Sequence, residues 1–316
     1  MNYSLDGRRR RVFSRQLGLA VVACLFLSAC GPSTSVEGEP ALGEIGIITS
    51  PEQIALPVYE YLPTVEQTVA LLFADQDMMN ECFRLSGSSK QVQLGYRYLI
   101  DHVLGGFQVA TVSAMTTIVS NMREEARTYG SLWSFFNPGT VAQYGYDRPP
   151  ERLALSAMTD IEDPVVEACE AGVGALTPSG HVMATFSISS LPDGGPVIPS
   201  SDSRIVEAEK SWSSCMADQG LDYASPVDAI GANYIADTDA AKALARTVAV
   251  ADVQCKIETN LIGVAVAVQT AYDQQYIDSH RDELNRLADR IADYLAGRVE
   301  VPTAPPEALE PSSTPS

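Results

Sequence analysis

Histidine and tryptophan are scarce in this chain, with three His and two Trp in 316 residues. The signatures that depend on such residues are missing as well. There is no His-Glu-x-x-His metal helix, no Gly-x-Ser-x-Gly nucleophile elbow, no Gly-x-x-x-x-Gly-Lys-Ser/Thr phosphate loop and no calcium loop of EF-hand spacing. Gly172-Val173-Gly174 begins like a dinucleotide fingerprint but lacks the third glycine and sits where a helix should end. No Cys-x-x-Cys occurs, nor any His/Cys grouping with zinc spacing. The sequence therefore nominates no metal, no cofactor and no catalytic residue. A Ser/His/Asp triad drawn from distant positions stays open, since triads are defined by geometry, but no serine has a context that favours it. Positive charge is also thin: 21 Lys and Arg stand against 40 Asp and Glu, a net charge of −19.

Long apolar runs are missing too. The longest, Leu17 to Leu27, is eleven residues, about half of the 20 needed to cross roughly 30 Å of hydrocarbon. It suits the core of a signal peptide instead. Arg8, Arg9, Arg10, Arg11 and Arg15 precede it as a basic region, and Leu27-Ser28-Ala29-Cys30 follows it. That last tetrad resembles the bacterial lipobox: an aliphatic residue, two small residues and cysteine. The resemblance implies that residues 1–29 are removed and that Cys30 becomes a lipidated N-terminus, carrying diacylglycerol with palmitate among the expected acyl groups. Two acyl chains, at about 0.8 kcal/mol per buried methylene, anchor a protein stably. The expected location is the extracytoplasmic face of a cell membrane. Arg10-Arg11-Val12-Phe13 leaves secretory and twin-arginine export both open.

Loss of residues 1–29 removes five Arg and one Asp, which leaves 16 basic against 39 acidic residues, or −23. Such a surface repels phosphate backbones, so nucleic acid is excluded as a partner. Cys82, Cys169, Cys215 and Cys255 remain, an even number in an oxidising compartment, which points to two disulfides. Four cysteines allow three connectivities. A faint internal echo favours one of them. Cys82 precedes Gly87, and Cys215 precedes Gly220, by five residues at the end of a helical pattern. Each is followed by a cysteine in a later helical stretch, pairing Cys82 with Cys169 and Cys215 with Cys255.

The chain reads as mainly α: a disulfide-braced helical domain over 49–299 with a long C-terminal helix or helix pair and little or no β. Two halves, 49–180 and 200–299, are conceivable. Residues 30–48 read as the lipidated cysteine and a flexible tether, with a root-mean-square reach of about 25 Å. Residues 300–316 read as a disordered Pro/Ser-rich tail. Thr64 and Gln67 fit a capping box, followed by Val65, Val69, Leu72, Met79, Cys82 and Leu85 at helical spacing. Asp163-Pro164 and Asp202 open two further helices, the second placing Ile205, Ala208, Trp212, Cys215 and Gln219 near one face. From Asp239 to Leu295 there is no proline. Leu244, Val248, Ala251 and Cys255 form one stripe there, and Leu284, Leu287, Ile291 and Tyr294 another. A single helix of that length would be about 85 Å long, so a break near Gly263 or a projecting end is expected. Residues 181–199 fit a short strand or a loop, and 88–150 carry no clear period.

Trp212-Ser213-Ser214-Cys215-Met216, with Gly220, Tyr223 and Pro226, then Ala249-Val250-Ala251-Asp252-Val253-Gln254-Cys255-Lys256, resembles a family of uncharacterised actinobacterial extracytoplasmic lipoproteins. Leu56-Pro57-Val58-Tyr59 and Tyr144-Gly145-Tyr146-Asp147 are weaker echoes of it. The resemblance implies a helical, disulfide-linked extracytoplasmic body and supplies no activity. Among individual residues, Tyr144 and Tyr146 in a loop are the binding candidates. His280 and Glu283, three apart, could share a metal, although a solvated helix face explains them as well. Two function classes follow: a non-catalytic binding or accessory module whose partner is an envelope protein or cell-wall component, or an extracytoplasmic hydrolase with an unrecognised site.

Overall fold

The computed structural model describes residues 38–100, 103–104, 108–129, 134–147, 152–158, 163–177, 187–233 and 238–305. They belong to one contact unit, Val36–Ser316, which is mainly α. The signal region and Cys30 lie outside the described residues.

Capping residues set the helix starts that the sequence marks. Helix α1 (Val65–Leu85) opens on Thr64, whose hydroxyl accepts the Gln67 N–H while the Gln67 side chain accepts the Thr64 N–H. It buries Val69, Leu71, Leu72, Met78, Met79, Cys82 and Phe83, while Leu85 is exposed. Helix α4 (Pro164–Leu176) opens on Asp163, and α5 (Ser203–Asp218) on Asp202. Gly220 ends the α5 region at φ +78°, a backbone setting that favours glycine. The small β content lies within and just beyond 88–150, the stretch with no clear period. Strand β1 (Gln93–Ile100) pairs antiparallel with β4 (Arg152–Met158) from Gln93↔Met158 to Leu99↔Arg152. Two short strands, β2 (Val103–Leu104) and β3 (Gln108–Val109), lie on the other edge of β1. Helix α2 (Val112–Tyr129) follows and buries Met115, Ile118 and Val119. Helix α3 (Pro138–Tyr144) is capped by Asn137. The described part of 181–199 forms two 3-10 turns, Ile188–Ser190 and Pro192–Gly194, and no strand.

The long C-terminal stretch is a helix pair. Helix α7 (Asp239–Glu258) stops at Thr259, and Asn260 turns the chain at φ +50° before α8 (Leu261–Leu295). The break therefore falls on Asn260, three residues before Gly263. Gly263 has another job: a Cβ there would lie 2.2 Å from the Gly46 carbonyl oxygen. Leu284, Leu287, Ile291 and Tyr294 are all buried, but on α7 Leu244 is 55% exposed. Val248, Ala251 and Cys255 of the expected α7 stripe are buried, joined by Ala245 in place of Leu244 and by Ala249, Asp252, Val253 and Lys256. Short helix α6 (Pro226–Asn233) covers part of it.

These elements make two apolar clusters. The larger joins α1, α2, α4 and α8; the smaller joins α3, α5, α6 and α7 around Trp212. Neither follows the two conceivable sequence halves, because α8 packs into the first cluster, and Val141 and Tyr146 into the second.

Both ends of the body are tied down further than composition suggested. Residues 39–48 are not a free tether. Glu39 accepts hydrogen bonds from the Ser203 N–H (2.7 Å) and hydroxyl (2.8 Å) at the start of α5. Leu42 packs against the first cluster, Asn260 donates to the Gly46 carbonyl at 2.9 Å, and Ile48 is buried. Residues 301–305 are likewise docked: Pro302 fills the space beside Gly172, and Ala304 N–H donates to Ser86 at 2.8 Å.

Candidate functional site

The four cysteines of the body form the two expected bridges. Cys82–Cys169 ties α1 to α4 with a Cα separation of 5.9 Å, and Cys215–Cys255 ties α5 to α7 with 5.7 Å. The first bridge is wholly buried. In the second, Cys255 is buried while Cys215 lies nearer solvent, with Glu258 beside it at 3.7 Å.

Most of the chemistry-bearing side chains of the smaller cluster meet at one carboxylate. Asp252, on α7, receives the Trp212 indole N–H at 3.0 Å on Oδ1, and the Tyr146 hydroxyl at 3.3 Å on Oδ2. Lys256 Nζ, one turn along α7, donates to Oδ2 at 2.8 Å and to the Ser134 carbonyl at 2.8 Å. Asp252 and Lys256 are both fully buried. Burial raises the Asp252 carboxyl above the ordinary aspartate range, with Lys256 acting in the opposite direction. The Tyr146 phenol is pushed up by burial and then by the charge on Asp252. Tyr146 also meets Phe135 edge-on at 5.3 Å. It is thus a core residue and offers no free face to a ligand, which corrects its nomination from sequence. Tyr144, at the end of α3, is half-buried. The motif residues Trp212, Met216, Ala249, Ala251, Asp252, Val253, Cys255 and Lys256 are all buried in this one place, so the pattern that carried the resemblance encodes a core. A crevice of about 10 Å³ next to Lys256, lined by Glu209, Pro226, Val227, Ile230, Leu261 and Ala265, has room for about one water.

A second cluster lies in the open. Helix α8 loses its regular geometry at His280 (φ −115°, ψ 16°), directly against the turn that holds Asp193 at φ +52°. The His280 ring stacks on Tyr276 at 4.3 Å, and its Nε2 meets Asp193 Oδ2 at 3.3 Å. Tyr276 donates its hydroxyl to the Pro192 carbonyl at 2.7 Å, which fixes the turn to the helix. The hydrogen bond to the Tyr276 carbonyl, with smaller help from Asp193 and Glu283, holds the His280 pKa above its usual value. Next to this contact is a cleft of about 410 Å³ lined by Ser190, Pro192, Asp193, Glu283, Arg286, Leu287 and Arg290. It combines two guanidiniums with two carboxylates over an apolar floor. The 3-10 turns that form one wall were not legible as a site; the Pro-Asp-Gly-Gly run at 192–195 was the signal available.

Ser279, His280 and Asp193 make a formal Ser–His–Asp chain, since Ser279 Oγ lies 2.9 Å from His280 Nδ1. The arrangement is unsuited to activating a nucleophile. The Ser279 hydroxyl donates to its own helix carbonyl at Tyr276 (2.9 Å), and Asp193 is largely exposed. Among the described residues, no third His, Cys, Asp or Glu joins His280 and Glu283 in a group that could hold a metal. His102 and His181 lie outside them. Among the described residues no helix is long and apolar enough to cross a membrane. No family model, no curated protein and no solved structure matches this chain.

Proposed function

We propose that this chain is a lipoprotein held by lipid on Cys30 to the extracytoplasmic face of a cell membrane, and that its body is a non-catalytic binding or accessory module of the envelope. The observation that carries this reading is the ordered leader: a basic region, an eleven-residue apolar run and Leu27-Ser28-Ala29-Cys30. Pairing of the four remaining cysteines supports it, because disulfides persist in oxidising compartments. Among the described residues, saturation supports the non-catalytic reading: Asp252 is engaged by Lys256, Trp212 and Tyr146 inside the core, and Ser279 donates into its own helix. The cleft between the Pro192 turn and α8 is the surface best suited to a charged segment of an envelope protein or a cell-wall component. Acyl mass on the N-terminal peptide and membrane fractionation test the anchor. Cys30→Ala should lose both, and an unchanged acyl mass in that variant would sink the reading. Turnover of an ester, peptide or glycan that stops with His280→Ala would move the body to the hydrolase class.

A further inference from the structure

Taking the lipid anchor above as given, we infer that the clamp on residues 39–48 restricts how the body meets the lipid surface: it keeps the side where α5 begins near the membrane and the opposite side away from it. Two attachments make the clamp. At one end Glu39 caps α5 through Ser203, and Arg204, held by Asp202 at 2.9 Å and placed 6.0 Å over the Tyr272 ring, donates to the Pro40 carbonyl. At the other end Asn260 holds both the Gly46 carbonyl (2.9 Å) and the Ile48 N–H (3.3 Å), and Gly263 leaves room for the backbone to approach. Chain length then decides the outcome. From Cys30 to Glu39 there are nine Cα steps, which span at most about 32 Å in any conformation. A folded body of this many residues measures roughly 45–50 Å across. The side opposite Glu39 therefore cannot come down to the membrane. A leash free as far as residue 48 has eighteen steps, at most about 65 Å, and lets any side approach. The clamp is thus a membrane-orientation device: it keeps the surface that begins α5, with Glu39, Arg204 and the exposed Val206, within about 32 Å of the lipid headgroups and the opposite side away from them.

The test uses the full chain in vesicles that contain a lipid with a photoreactive headgroup, with labelled peptides and the acyl mass on Cys30 read from the same sample. Wild type should label 39–42 and 203–210 several-fold above the average of the body's other exposed peptides. An insertion of about twenty Gly/Ser residues between Gly38 and Glu39, which adds about 70 Å of maximal reach and leaves the cap intact, should even out the labelling. An acylated wild type that labels evenly, or an insertion variant with the wild-type pattern, overturns the orientation inference and leaves the anchor standing. A wild type without acyl mass overturns the anchor itself.

Discussion

The two clusters of this body solve the same problem with different chemistry. The larger one, from α1, α2, α4 and α8, is filled by Leu, Ile, Val, Met and Phe, and it encloses its disulfide completely. The smaller one is rich in alanine and encloses an ion pair, Asp252 with Lys256, plus the polar ends of Trp212 and Tyr146. Alanine buries little apolar surface and interlocks weakly, so a core built from it has less side-chain shape to select one arrangement. Directional bonds to a single carboxylate can supply that selection, at the cost of desolvating two charges. The comparison separates two ways of stabilising a fold. In the first cluster bulk dominates; in the second the position of a few atoms does.

The largest expected effect tests this directly. Lys256→Ala leaves Asp252 buried without its cation, and the loss should be roughly 3–5 kcal/mol in denaturant unfolding. The apolar pair Asp252→Leu with Lys256→Met should recover much of that stability, while near-ultraviolet circular dichroism of Trp212 reports whether a single packing survives. Recovery of stability together with an unchanged tryptophan signal would show that the polar bonds are dispensable, and the contrast between the clusters would fail. Leu71→Ala, deep in the larger cluster, should cost about 2–5 kcal/mol through transfer and cavity terms alone, and no polar replacement should rescue it. Removing the disulfides comes next. The Cys82–Cys169 loop of 87 residues and the Cys215–Cys255 loop of 40 predict about 4.6 and 3.9 kcal/mol in the chain-entropy model. Calorimetry of the two Cys→Ala double variants should therefore find the first less stable by a small margin. The reverse order would mean that native packing, and not loop length, ranks them.

The same contrast explains what the sequence made legible. Helices α1, α4 and α5 were readable because a cap is local: Thr64, Asp163 and Asp202 each act within three residues of themselves. The disulfide pairing was readable from the repeated Cys-to-Gly spacing at 82–87 and 215–220. Helix α2 was missed although Met115, Ile118, Val119 and Met122 have helical spacing and Thr111 accepts the Ala114 N–H, because the surrounding stretch switches between strand and helix periods. Tyr146 was misread because its partner, Asp252, is 106 residues away, and a loop position near Gly145 gives no sign of burial. The docking of 39–48 was hidden for a similar reason. Glu39, Pro40, Gly43, Glu44 and Gly46 read as a linker and outweighed the apolar Leu42, Ile45, Ile47 and Ile48 among them, and what binds the segment is Ser203, Arg204 and Asn260 far along the chain. The cleft next to His280 needs a helix kink and a 3-10 turn to meet, and neither has a periodic signature.

The smallest expected effect concerns the carboxylate that the larger cluster holds without a cation. Asp273 on α8 is fully buried, and its two donors are neutral: the Val58 N–H at 3.3 Å and the Gln269 amide at 2.7 Å. Burial raises its pKa, and the two hydrogen bonds oppose that shift. The sign of the linkage follows from the raised value. The folded state holds the proton more tightly than the unfolded chain, so the contribution of Asp273 is favourable below the unfolded aspartate pKa of about 3.9 and is lost as pH rises through the folded value. Asp273→Asn removes that loss. The new amide oxygen can accept from Val58, and Gln269 can turn its own amide to present oxygen to the asparagine NH₂. Stability at neutral pH should therefore rise slightly, and the pH profile above about 4 should flatten. Urea midpoints across that range, compared with wild type, measure both. A fall in the neutral-pH midpoint would mean that the ionised carboxylate is itself stabilising, and that the larger cluster depends on a polar contact after all.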